Sequence, residues 1–350
     1  MRPIVFVPAC LIFLATSVAS PAGEAVGWRY REGAFDLSAH VFRHYSNGTR
    51  ILTSDGELRL VDASFLEPSD DPFEPLSVQE VESALRREFA SYEVRRTQHF
   101  LIVQPRGRGN HWAWLFERVH RGAGDLCRRC GIEMREGAFP MVAVIAATRR
   151  GCRDMLRRRG ETLGPEAAGY YFLTNNRVYT FDVDAGDTGT LAVLRHEAAH
   201  QIAYNFGLHD RIDHPGRGIS EGFGSLFESP GMTDNRRSAT RVDRATPRYL
   251  NRVRRWTEEH LSHMVDAVIA DPAVFDDPKF SGDAYSAAWL IAFYLSERAP
   301  KAYGRLLNGS CRGADPWNAT ETRRRQSFER WTGRTTGQAA REMIQFLERL

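Results

Sequence analysis

The fold of this protein is decided by residues 194–201, which read Leu-Arg-His-Glu-Ala-Ala-His-Gln. Side chains four residues apart lie on the same face of an α-helix, one turn above the other. A helix here therefore directs the imidazoles of His196 and His200 to one point, as a zinc ion requires. Glu197 would lie beside the metal, where its carboxylate can take a proton from a metal-bound water. The stretch predicts a catalytic zinc site on a helix.

The residues around this stretch favour such a helix. Asp187 and Thr188 are suitable N-caps, and Gly207 is a suitable C-terminal stop. Between them, apolar residues cover nearly all sides of the helix, which is typical of a buried helix. Two histidines and a glutamate are costly in such a helix unless something pairs them, and a metal would do so.

A third zinc ligand is expected from a nearby element, because a catalytic zinc ion has three protein ligands and one open position. Residues 219–228 read Ile-Ser-Glu-Gly-Phe-Gly-Ser-Leu-Phe-Glu and supply Glu221. This glutamate lies 21 positions after His200, beyond a loop rich in Gly, Pro and Asp. A helix, a turn and a second helix would return Glu221 to the metal.

The two motifs together resemble those of the gluzincin metallopeptidases, in which two histidines and a downstream glutamate bind zinc. Residues 220–224, Ser-Glu-Gly-Phe-Gly, resemble the Asn-Glu-Gly-Phe-Ala run of the aminopeptidase N family. The resemblance implies that His196, His200 and Glu221 bind Zn²⁺. It also implies that Glu197 activates the attacking water.

Two further residues match the gluzincin pattern. Glu228, seven positions after Glu221, corresponds to another glutamate of that pattern. Residues 285–295 resemble a gluzincin helix that opens with a tyrosine. The resemblance implies that Tyr285 hydrogen-bonds the oxyanion of the tetrahedral intermediate. Packing of Tyr285 in the core is the alternative that stays open.

The closest resemblance is to a bacterial peptidase-like family of largely unknown function, and it covers about residues 95–300. Its members carry an Ala-Gly-x-Tyr segment before the motif helix and a segment of Trp or Ile followed by Ser-Glu-Gly after it. The matching segments here are residues 168–171 and 219–222. The Gly-x-Met-Glu-Asn segment with which aminopeptidase N enzymes hold the free amine of the substrate is not found, so aminopeptidase specificity is not implied.

The N-terminus has the pattern of a signal peptide over residues 1–20. Arg2 provides a positive start, residues 4–18 are apolar, and small residues at 17–19 suit cleavage. The apolar run is short for a transmembrane helix. We therefore expect a secreted or periplasmic protein without stable membrane insertion after cleavage. The net charge of +3 is small and no basic cluster is long enough to predict nucleic-acid binding.

Four cysteines follow the predicted signal peptide, and an even number in an exported chain predicts two disulfides. Our hypothesis pairs Cys127 with Cys130 and Cys152 with Cys311. The alternatives for Cys127 and Cys130 are a redox motif or half of a four-cysteine zinc site.

The length of 350 residues allows one large domain or two smaller ones. Residues 26–68 contain short apolar runs separated by Asn-Gly and Asp-Gly turns, and they predict a small β module. Residues 77–350 are expected to form a zincin-like metallopeptidase domain of the α+β class, with a small mixed sheet, the motif helix and a helical C-terminal part. We expect residues 177–183 at the edge of that sheet, where a substrate adds as a further strand. His209 and His214 lie in the loop between the ligand helices, where we expect them to be solvated, with contact to substrate or zinc as the alternative.

These patterns predict an exported zinc peptidase that hydrolyses a peptide or protein substrate. Two alternatives stay open. A zinc amidase acting on cell-wall peptides would have the same site and a different substrate. A non-catalytic secreted binding protein would keep the zincin fold for structure and lack turnover.

Overall fold

The computed structural model describes residues 27–162, 164, 167–184, 186–212, 215–234, 237–310 and 319–350. The predicted signal peptide, Cys311 and His214 lie outside the described residues. The protein belongs to the α+β class, as predicted, with two small sheets and a largely helical C-terminal half.

The first sheet, called the N-terminal sheet below, is antiparallel throughout. Its strands are β1 (Gly27–Glu32), β2 (Phe35–Tyr45), β3 (Gly48–Thr53), β4 (Leu58–Val61) and β5 (Leu66–Ser69), in the order β4-β3-β2-β1-β5. The predicted Asp-Gly turn joins β3 to β4, and its glycine, Gly56, has a φ of +84° that side chains rarely adopt. A small apolar core of Tyr30, Ala39, Ile51, Val61 and Leu66 supports the sheet.

The second sheet is mixed and carries the motif helix. Its strands are β6 (Glu93–Arg96), β7 (Phe100–Gln104), β8 (Met141–Ala146), β9 (Gly169–Phe172) and β10 (Arg177–Phe181). The order is β6-β7-β8-β10-β9, with a parallel centre formed by β7, β8 and β10. Helix α1 (Val78–Glu88) precedes β6, helices α2 (His111–Cys130) and α3 (Arg149–Arg158) lie between the later strands, and α4 (Thr188–Asn205) follows β10.

Helices cover both faces of the second sheet, because its central strands are apolar on both sides. Leu101, Val103 and Val144 face α1 and α3. Phe100, Ile102 and Ala143 face α2 and α4. The sheet thus holds α4 against its second face. This packing sets the position of residues 194–201 relative to the strands.

The predicted edge strand is wrong. The strand of residues 177–183 is β10, which pairs with β8 on one side and β9 on the other. The hairpin folds so that its first strand, β9, is the outer one. A substrate strand can therefore add to β9 at this edge of the sheet. It cannot add to β10, because both edges of β10 are already paired.

The C-terminal helices follow α4, and the first of them packs directly against it. They are α5 (Arg217–Leu226), α6 (Arg241–Arg244), α7 (Pro247–Val253), α8 (Glu258–Ala270), α9 (Ser281–Arg298), α10 (Pro300–Ser310), α11 (Glu321–Thr332) and α12 (Thr336–Glu348). Most residues of α9 are buried, and α9 packs closely against α5. Within the described ranges, no helix is long and apolar enough to cross a membrane.

The cysteines differ from the hypothesis. Cys127, Cys130 and Cys152 are free thiols, so the Cys127–Cys130 bond is not formed, and the partner proposed for Cys152 lies outside the described residues. All three thiols are buried. Burial raises the pKa of Cys127 to about 12 and that of Cys130 to about 11. Such thiols have little thiolate to react with, which fits a role in packing.

Candidate metal centre

The motif helix α4 begins and ends where the sequence predicts. The Asp187 carboxylate accepts the backbone N–H of Thr190 at 3.0 Å and caps the helix. Gly207 follows the helix with a φ of +76°. His196 and His200 are only 7% and 8% exposed. The predicted burial of both imidazoles is therefore confirmed.

Three ligand atoms converge at one point beside α4. The Nε2 atoms of His196 and His200 are 2.9 Å apart. The Oε2 atom of Glu221, on α5, lies 3.2 Å from the first nitrogen and 3.6 Å from the second. Tetrahedral ligands about 2.1 Å from a zinc ion are separated by about 3.4 Å, so the triangle has the size of one face of a zinc coordination sphere. The three side chains predicted as ligands thus fit the ion.

A glycine lets α5 approach the two histidines. A Cβ atom at Gly224 would lie 2.9 Å from Nε2 of His196 and 2.9 Å from Nε2 of His200. Gly222 allows a similar close approach on the other side of α5, to helix α9. A Cβ at Gly222 would lie 2.6 Å from the carbonyl oxygen of Ala288. The Ser-Glu-Gly-Phe-Gly run therefore supplies the ligand Glu221 and also the space for the imidazoles.

Glu228 orients the first histidine. Its Oε1 atom lies 3.1 Å from Nδ1 of His196, and the residue is 3% exposed. Arg248 and the Tyr249 hydroxyl donate to the same oxygen at 2.6 Å and 2.8 Å. A carboxylate bound to Nδ1 holds the ring in place and leaves Nε2 for the metal. The resemblance to the gluzincin pattern pointed to Glu228, but the contact with His196 appears only in the structure.

The charges of the site suit a cation. Burial by itself would raise the pKa of Glu221, but hydrogen bonds from His196 and His200 hold it well below its usual range. Burial would also lower the pKa of His196, but the carboxylates of Glu221 and Glu228 raise it to about 10. Because a metal ion binds the unprotonated imidazole nitrogen, metal binding at this site is coupled to proton release.

Glu197 is held by the edge strand of the sheet. Its Oε2 atom accepts the backbone N–H of Tyr171, in β9, at 2.8 Å. Burial raises the pKa of Glu197 above its ordinary value, against the opposing charges of His196 and His200. A raised pKa brings the carboxylate closer to the range in which it exchanges protons at neutral pH.

Tyr285 lies in the first turns of α9 and is half-buried. Burial, followed by the charge of Glu221, raises its pKa well above the ordinary value. The guanidinium of Arg217, one turn before Glu221 on α5, is another neighbour of this hydroxyl. Burial and the charges of Glu197 and Glu221 also raise the pKa of Tyr170, in β9, to about 12. The charge of Glu221 therefore acts on two tyrosine hydroxyls from different elements, Tyr285 of α9 and Tyr170 of β9.

Buried amides fasten α4 to the hairpin of β9 and β10, a feature that sequence reasoning missed. Asn205 and Asn176 exchange two side-chain hydrogen bonds of 2.8 Å. The amide of Gln201 donates to the carbonyl oxygens of Asn176 and Val142 at 2.7 Å and 3.0 Å. The Tyr171 hydroxyl donates to the side chain of Asn176 at 2.8 Å. A signal was present, since polar Gln201 and Asn205 follow the motif at helical spacing on an otherwise apolar helix.

His209 is buried, at 2% exposure, and its ring packs edge-on against Phe223 at 5.5 Å. The expectation of a solvated loop histidine is therefore wrong for this residue. Phe223 is a core residue of α5, so His209 contributes to the packing behind the ligand helices.

A second group in the described part of the chain, His99, Glu117 and His120, has the composition of a metal site. Here Nδ1 of His99 lies 2.9 Å from Glu117, while the rings of His99 and His120 stack at 3.6 Å with an angle of 20°. All three residues are partly exposed, and the Glu117 carboxylate already accepts the backbone N–H of His99 at 3.0 Å. This group is a poorer metal site than the triangle beside α4.

A family model described as "Protein of unknown function (DUF1570)" matches residues 190–314. No curated protein matches the chain. The matched span holds all three residues of the triangle together with Glu197, Glu228 and Tyr285. Its description assigns no activity, so the chemistry of this span has to be inferred from its geometry.

Proposed function

We propose that this protein is an exported zinc-dependent peptidase of the gluzincin type on a zincin-like fold. The convergence of His196, His200 and Glu221 at the separations of a zinc coordination sphere carries the proposal. When bound, zinc supplies a Lewis acid that polarises the peptide carbonyl and makes water a stronger acid. An N-terminal signal peptide and a secreted or periplasmic location belong to the same proposal.

Glu197 acts as the general base in this proposal. It follows a ligand on the same helix, and the amide of Tyr171 keeps its carboxylate directed toward the edge strand. The carboxylate takes a proton from the attacking water and passes it to the leaving amine. Tyr285 steadies the oxyanion, because the charge of Glu221 acts on its hydroxyl, which remains protonated at neutral pH.

An extended peptide is the substrate that the surroundings favour. β9 pairs with β10 on one side only. The N–H of Tyr171 bonds Glu197, so the backbone next to the base belongs to the unpaired edge of β9. An extended chain that adds to this edge brings its carbonyls past Glu197 and the metal ligands.

The test is Glu197→Gln, with zinc content and hydrolysis of a peptide library measured together. We expect the variant to bind zinc as the wild type does and to lose activity by about 10²- to 10⁴-fold. Gln keeps the size of the side chain, so a loss of zinc would count against the assigned role. Wild-type protein that holds zinc and cleaves no peptide contradicts the peptidase proposal, and cell-wall peptides then test the amidase alternative. Inactivity on both substrates favours a binding protein.

A further inference from the structure

The N-terminal sheet contacts the hairpin that carries Tyr171. The β3–β4 turn, residues 54–57, faces the β9–β10 turn, residues 173–176. The backbone N–H of Leu58 donates to the carbonyl oxygen of Thr174 at 2.7 Å. The two turns are thus joined by a backbone hydrogen bond, as strands of one sheet would be.

Arg211, which belongs to neither turn, hydrogen-bonds to both of them. Its Nε and Nη2 atoms donate to the carbonyl oxygen of Leu173 at 3.0 Å and 2.5 Å, and Nη2 also reaches that of Thr174 at 3.2 Å. Its Nη1 atom donates to the carbonyl oxygen of Gly56 at 2.9 Å. Arg211 lies in the loop between α4 and α5. Its guanidinium therefore connects this loop to the β9–β10 hairpin and to the N-terminal sheet.

We propose that the N-terminal sheet is a brace for the catalytic hairpin and that Arg211 is the positioning residue through which it acts. The proposal rests on the proposed peptidase function. A chain of contacts leads from Arg211 to the base. Arg211 holds the end of β9, β9 presents the amide of Tyr171, and that amide holds Glu197. The loop that carries Arg211 also leads into α5, which presents Glu221. The brace therefore sets the base and the ligand helix relative to the strand that receives the substrate.

The chemistry of the clamp requires arginine. A planar guanidinium offers five donors in a fixed fork, whereas an ammonium is a single point of charge. A lysine at position 211 can reach one of the two turns and leaves carbonyl oxygens of the other without a donor. Small displacements of a catalytic group cost large factors in rate, up to about 100-fold for about 1 Å.

The experiment compares the full chain with Arg211→Lys, Arg211→Met and the control Arg150→Met, whose parent side chain is 94% exposed. Three properties are measured on each protein. They are the hydrogen exchange of the hairpin amides, the zinc content, and the kinetic constants KM and kcat, with kcat expressed per bound zinc. We expect both Arg211 variants to keep zinc, to exchange hairpin amides about tenfold faster or more, and to lose about 10- to 100-fold in kcat/KM per bound zinc. Arg150→Met should behave as the wild type.

The readouts separate positioning from general stability. An arginine that only supports folding would lower zinc content and activity together and leave KM and kcat per bound zinc unchanged, and that result overturns the proposal. Unchanged hairpin exchange also overturns it, as does faster exchange with unchanged kinetics. Arg211→Lys keeps the charge and the aliphatic stem and serves if Arg211→Met does not fold. A wild type without activity refutes the peptidase proposal, while the exchange measurement still decides whether the brace exists.

Discussion

Replacing Gly224 by alanine should strongly weaken metal binding while leaving the protein folded. The new Cβ would lie 2.9 Å from Cε1 and Nε2 of His196 and 2.9 Å from Nε2 of His200. Ordinary contacts begin at about 3.5 Å, so the imidazole edges must move by at least about 0.6 Å. Zinc sites tolerate errors of about 0.2 Å in ligand position. The affinity for zinc should therefore fall at least about 100-fold, or by about 3 kcal/mol.

The same substitution should cost the metal-free protein little. The clash involves the outer ring atoms of two side chains and no backbone atom, so it is relieved by small shifts of the rings that strain the hydrogen bond between His196 and Glu228. Alanine also favours a helix over glycine by about 1 kcal/mol, and Gly224 lies within α5. We expect the unfolding free energy of the metal-free variant to stay within about 1 kcal/mol of the wild type.

The assay is a zinc titration with a competing chelator, combined with thermal unfolding with and without zinc. Zinc at about 100 times Kd should stabilise the wild type by about 2.7 kcal/mol and should leave Gly224→Ala nearly unchanged. Gly216→Ala is the matched control, because Gly216 precedes the same helix and a Cβ there meets nothing within 4 Å. Wild-type zinc affinity in Gly224→Ala would refute the close approach of α5 to the histidines.

Three further predictions address the surroundings of the site and the fold. Glu228→Gln should weaken zinc binding about 10- to 100-fold, because Nδ1 of His196 loses its charged acceptor, and unchanged affinity in a chelator titration would contradict this. Tyr285→Phe should keep zinc and lose about 10²- to 10³-fold in kcat; unchanged kcat would leave this residue with a packing role only. The third concerns Glu297, whose pKa stays below its ordinary value because Arg244 outweighs burial. Its stabilisation is present above the unfolded pKa of about 4.3 and is lost as the pH falls through the lower folded value. Denaturant unfolding at a series of pH values should therefore show a smaller loss toward about pH 3 in Glu297→Gln than in the wild type, and parallel curves would count against this.

The sequence by itself determined the features that depend on local geometry. The spacing of His196 and His200 places both imidazoles on one face of any helix, whatever surrounds it. The cap at Asp187 and the stop at Gly207 lie in the structure where the residue types predict them. The capping box of Ser77 and Glu80, which opens α1, is equally local and is present. These features need only a few neighbouring residues, so no knowledge of the remaining fold was required.

Only the tertiary structure decided which distant groups meet. The pairing of β10 with β8, the contact of Glu228 with His196 and the clamp of Arg211 on two turns each join residues far apart in the chain. The approach of Gly224 to the histidines depends on how two helices pack, and a motif read along one helix does not contain that information. Such contacts follow from the simultaneous packing of sheet, helices and loops around one core. Their partners are therefore set by the whole fold, whereas helical spacing is set by the backbone alone.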